Sequence, residues 1–78
     1  MSGMTTSLTV AEEFLLELLE EEFSRYPDIR VDIRKENGER GVLVRSESRE
    51  WFFPFEWSST AGFGKVHQQI NTIRELYS

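Results

Sequence analysis

The sequence has no cysteine. Disulfides, thiolate zinc sites, iron–sulfur clusters and cysteine nucleophiles are therefore excluded. Small secreted domains usually depend on such staples, so a cytoplasmic location is expected. No apolar run approaches the ~20 residues that span a bilayer, and no membrane partner is expected. Met1 to Ser7 has neither a basic start nor an apolar stretch, which predicts no signal peptide. Residues 1–8 read as a disordered tail, and residues 9–78 as one domain.

A chain of 78 residues has room for a single domain. At this size, folding buries only about 60% of the surface that the unfolded chain exposes. That leaves little space for a large cofactor or a shielded cleft, and no cofactor is expected. Two tryptophans, two tyrosines and six phenylalanines are a generous aromatic supply and should fill most of the core.

The net charge is −5, and its placement is uneven. Six glutamates and one arginine lie between Thr9 and Tyr26, while the rest of the chain carries eight acids and eight bases. The whole excess therefore falls on one segment, and that segment has the pattern of a helix. Thr9 and Glu12 are spaced as a capping box, which satisfies two orphan amide donors at a helix start. Leu15, Leu16, Leu19, Phe23 and Tyr26 share a face, with Ala11 beside them and Phe14 and Leu18 widening the stripe. Glu13, Glu17, Glu20, Glu21 and Ser24 fall opposite. Pro27 stops the helix, because it disfavours helical geometry at Tyr26 and donates no amide.

Alternation takes over next. Ile29, Val31 and Ile33 interleave with Arg30, Asp32 and Arg34, the mark of a strand with one dry face. Asn37-Gly38 is the preferred two-residue hairpin turn, since both positions need positive φ. Centring the turn there places Ile33 opposite Val42 and Val31 opposite Val44. On the other face it places Arg34 opposite Gly41, Asp32 opposite Leu43 and Arg30 opposite Arg45. A third strand is expected from Trp51 to Trp57, after a polar connection through Glu47–Glu50, with Phe53 beside Val44 and Phe55 beside Val42. Pro54 interrupts the hydrogen-bond ladder and sends this strand to a sheet edge. A last amphipathic helix begins within Ser58–Gly64 and carries Phe63, Val66, Ile70, Ile73 and Tyr77 at spacings of three and four.

The expected fold is α+β, a two-layer α-β-β-β-α sandwich. Its sheet is a three-stranded antiparallel meander with both helices on one face. This order resembles the double-stranded-RNA-binding domain, and Gly62-Phe63-Gly64-Lys65 sits where that family has its glycine-rich lead-in to the second helix. The resemblance spans most of the chain at the level of topology. The family's basic cluster would fall near Val66, His67 and Gln68, and none of these is a lysine or arginine. The first helix, which contacts the minor groove in that family, is here the most acidic segment. Phosphate binding needs lysine and arginine, so the resemblance stops at topology.

Chemistry-bearing residues are few. His67 borders the apolar stripe of the last helix, and no serine, aspartate or second histidine can be set beside it to make a triad. No enzymatic activity and no metal site are expected. Gly62-Phe63-Gly64-Lys65 lacks phosphate-loop spacing and reads as a flexible start to the helix.

The sheet face without helices is the more informative surface. In the expected register Arg30, Arg45 and Phe52 form one row, Asp32, Leu43 and Pro54 the next, and Arg34, Gly41 and Glu56 the third. Gly41 would let Arg34 reach Glu56. Arg30, Arg34, Leu43, Arg45 and Phe52 are the expected binding residues, because an exposed phenylalanine and leucine among arginines are unlike a solvated face. Such residues suit protein hot spots and single-stranded nucleic acid. A protein partner or a second copy of the chain is expected, and the net charge disfavours nucleic acid. The alternative site is the acidic face Glu13, Glu17, Glu20 and Glu21, as a decoy for a nucleic-acid-binding protein.

Overall fold

The computed structural model describes residues 8–77. Helix α1 spans Val10–Phe23, strand β1 Arg30–Glu36, β2 Glu39–Arg45, β3 Glu50–Pro54 and helix α2 Phe63–Leu76. The strands form one antiparallel sheet in the order β1-β2-β3. The expected tail over 1–8 lies outside the described residues except for Leu8, which is half-buried against the core.

Helix α1 opens with both arms of the capping box. The Thr9 hydroxyl accepts from the Glu12 amide at 3.1 Å, and the Glu12 carboxylate accepts from the Thr9 amide at 3.1 Å. Its leucines and Phe23 meet Val66, Ile70 and Ile73 of α2 in one cluster with Val42, Val44, Phe53 and Phe55. The helices lie side by side and run the same way. Phe14 stacks on Phe63 at the leading ends, with ring centroids 5.8 Å apart. At the trailing ends Tyr26 meets Tyr77 at 4.7 Å, and Arg74 Nε lies 3.1 Å from Glu22 Oε2.

The β1–β2 hairpin has the expected register throughout, from Arg30 opposite Arg45 to Glu36 opposite Glu39. Asn37 and Gly38 take φ of 54° and 80°, the positive values that the turn demands. The β2–β3 register differs from expectation by two residues: Val44 faces Trp51, and Val42 faces Phe53. The cause is the Ser46–Arg49 loop. Ser46 N–H donates to the Arg49 carbonyl at 2.8 Å, and Ser46 Oγ accepts from the Arg49 amide at 3.2 Å. This closes the turn one residue earlier than a loop beginning at Glu47 would. A shift of two leaves each side chain on its expected face, so Phe53 still reaches the core.

The third strand also ends early. Beyond Pro54 the chain coils into a 3-10 turn, Phe55–Ser58, and a second one, Thr60–Gly62. Phe55 enters the core from this turn and not from the strand. Arg40 lays its guanidinium over the Phe55 ring, 5.5 Å from its centre.

The helical layer is narrower than the sheet. It covers β2 and β3 but leaves much of β1 bare. Ile33, expected on the dry face, is 43% exposed, and every β1 residue except half-buried Val31 is exposed. No helix is long and apolar enough to cross a membrane, among the described residues.

Candidate interaction surface

The outer sheet face is built from the β1 residues with even numbers, the β2 residues with odd numbers, and Glu50, Phe52 and Pro54 of β3. The corrected register changes its rows. Arg30, Arg45 and Glu50 form the first, Asp32, Leu43 and Phe52 the second, and Arg34, Gly41 and Pro54 the third. Phe52 thus sits one row away from its expected place beside Arg30 and Arg45. Glu56 leaves the sheet for the 3-10 turn, so Arg34 has no route to it across Gly41.

Gly41 has a different purpose. A Cβ there would lie 2.5 Å from the Phe53 carbonyl oxygen and 2.6 Å from Phe52 Cζ. The Phe52 ring therefore leans over the glycine and fills the space that a side chain would take. Beside it Leu43, expected to be exposed, is only 3% accessible. Leu43 lies buried directly opposite the half-buried Phe52, so the exposed apolar patch that the sequence suggests is reduced.

What remains open to solvent is charge of both signs. Arg30 and Arg34 are exposed and Arg45 is half-exposed, interleaved with exposed Asp32, Glu36, Glu39 and Glu50. Arg45 Nε lies 3.7 Å from Glu50 Oε2. This relieves the like-charge opposition of Arg30 and Arg45, though at such exposure the gain is small.

Glu13, Glu17, Glu20 and Glu21 are all exposed along one side of α1. Glu12 and Glu22 are drawn inward, one to the cap and one to Arg74. His67 is exposed, with its ring edge-on to Phe63 at 5.6 Å. Gly62 is a packing position: its Cβ would fall 2.6 Å from Trp57 Cα. Val66, where the RNA-binding family has basic character, is buried in the core. Among the described residues no group of three or more His, Cys, Asp or Glu is placed to hold a metal ion.

Sequence reasoning missed a groove of about 400 Å³ beside α2, walled by Trp57, Lys65, Gln68, Gln69 and Thr72. The four α2 residues recur at helical spacing, which was the available signal. The side chain of Gln69 donates to the Phe52 carbonyl at 2.9 Å, across the free side of β3. At the far end of the sheet a smaller polar hollow of about 200 Å³ gathers Asp28, Ser46, Glu47, Arg49 and Tyr77. There the Tyr77 hydroxyl donates to Asp28 Oδ2 at 3.1 Å. Burial, reinforced by the Asp28 carboxylate, holds the phenol above its ordinary pKa of 10.0.

No protein-family model, curated protein or solved structure matches the chain.

Proposed function

We propose that the chain is a non-enzymatic interaction domain that binds a protein partner through its outer sheet face. The observation that supports this reading is the interleaving of charge on that face. Arg30, Arg34 and Arg45 alternate with Asp32, Glu36, Glu39 and Glu50 around Phe52. A nucleic acid requires an excess of positive charge to displace its counterions, and this face has none. A protein surface of matched and opposite pattern gains both register and specificity from such an arrangement. The half-buried Phe52 supplies an aromatic anchor of the kind that concentrates binding energy.

Crosslinking of the intact domain in cell extract, followed by mass spectrometry, should place the partner on β2 and β3. Arg45→Glu with Phe52→Ser should then abolish capture of that partner while the circular dichroism spectrum is unchanged. Capture that survives the double change removes this face from consideration. In an amide-resolved NMR titration at low salt, oligonucleotides should leave Arg30, Arg34, Arg45 and Phe52 unshifted. Shifts clustered on those residues would replace the protein partner with a nucleic acid.

A further inference from the structure

The β1 edge carries an inference that goes beyond face binding and does not rest on it. In a two-residue hairpin the residues flanking the turn form a hydrogen-bonded pair, and bonded and non-bonded pairs alternate from there. Glu36 and Glu39 flank the turn. Glu36, Arg34, Asp32 and Arg30 therefore bond to β2, while Lys35, Ile33 and Val31 direct their amides and carbonyls away from the sheet. Among the described residues no strand lies beyond β1. Among the described residues, no β1 side chain is hydrogen-bonded or ion-paired within the chain.

The strand reads Arg30-Val31-Asp32-Ile33-Arg34-Lys35-Glu36, and its charges are antisymmetric about Ile33. Two copies laid antiparallel with Ile33 facing Ile33 set Asp32 against Arg34 and Arg30 against Glu36, each twice by the twofold symmetry. The outward groups of Val31, Ile33 and Lys35 all find partners in the same register. Ile33, 43% exposed, meets its own copy on the helix side, and the Lys35 stem lies along Val31. Neighbouring registers fail. Centring on Asp32 opposes it to itself and Arg30 to Arg34, and centring on Arg34 opposes Asp32 to Glu36.

We propose that β1 pairs with β1 of a second copy of this chain, joining two three-stranded sheets into one of six. The occupant of this edge is another copy because the charge pattern is complementary to itself in the one register that spans all seven residues. The dimer interface is isologous, as closed twofold assemblies require.

Sedimentation equilibrium of the full chain from micromolar to millimolar concentration at low salt tests this. The wild-type chain should pass from monomer to dimer, and added salt should shift it back. Asp32→Arg and Arg34→Asp should each weaken the dimer by roughly tenfold or more, since each turns two attractive cross-strand pairs into repulsive ones. The double swap, Asp32→Arg with Arg34→Asp, restores opposition of unlike charges and should recover dimerisation. In the dimer the amides of Val31, Ile33 and Lys35 should gain protection from hydrogen exchange. A wild-type chain that stays monomeric at millimolar concentration overturns the proposal. So does a dimer indifferent to the single changes, or a double swap no better than either single. Phe52→Ser lies on β3, at the opposite side of the sheet, and should leave the dimer constant in place, so edge pairing and face binding fail separately.

Discussion

The two edges of the sheet are treated in opposite ways. The β3 edge is closed by three devices: the strand is only five residues long, Pro54 offers no amide, and Gln69 takes the Phe52 carbonyl at 2.9 Å. The β1 edge is seven residues long, carries no proline and is exposed at every residue except Val31. Unpaired edges invite association, and proteins blunt them by the kinds of device found on β3. The core follows the same asymmetry. Phe53 on β3 is fully buried, whereas Ile33 on β1, facing the same helical layer, is 43% exposed. One edge is thus part of the folded core, and the other is a surface.

Truncation on the two sides sharpens this contrast most. Phe53→Ala should cost about 3–5 kcal/mol, enough to leave a domain of this size largely unfolded. Ile33→Ala should cost less than about 1 kcal/mol. Urea denaturation of the two variants measures the difference, and equal losses would break the comparison. Gly41→Ala should cost about 1–3 kcal/mol, because its Cβ must displace the Phe53 carbonyl and the Phe52 ring. The same denaturation series reads that loss.

Gln69→Ala should open the β3 edge. It frees the Phe52 carbonyl at a cost of about 1 kcal/mol, visible as a lower denaturation midpoint. The smallest effect concerns the bond between Tyr77, just past the end of α2, and Asp28, just ahead of β1. The phenol's raised pKa means that the folded state holds its proton more tightly than the unfolded state does. Its contribution is complete below pH 10, the unperturbed value, and is lost as pH rises through the higher folded value. Thermal melts above pH 10 should show a steeper fall in the parent than in Tyr77→Phe.

Local rules made much of the fold legible. Thr9 with Glu12 predicted a capping box, and both of its bonds form. Asn37-Gly38 predicted the hairpin register pair by pair, because a two-residue turn leaves no freedom. The β2–β3 register was missed because it depends on how Ser46 closes its loop, which composition does not reveal. The alternation Trp51, Phe53, Phe55, Trp57 runs on past Pro54 and imitates a longer strand, whereas the backbone coils there and still delivers Phe55 to the core. Of the expected face residues, Arg30, Arg34 and Arg45 occupy their foreseen positions. Leu43 is buried opposite Phe52, a pairing that the two-residue shift creates. The exposure of Ile33 follows from the width of the helical layer, a tertiary quantity that periodicity does not carry.

None of the ten residues in the buried cluster belongs to β1. The first strand is held by its ladder to β2 and by Val31, which packs against the cluster from the side, so its side-chain anchorage is the lightest of the three strands. Proteins open in cooperative units of unequal free energy, and exposure along all of β1 except Val31 makes this edge strand the place where the lowest opening free energy is expected. Its exchange with solvent would be quick in an isolated chain and slow wherever a neighbour holds it. The domain would then have two levels of order: a permanent one set by its core, and a conditional one set by company.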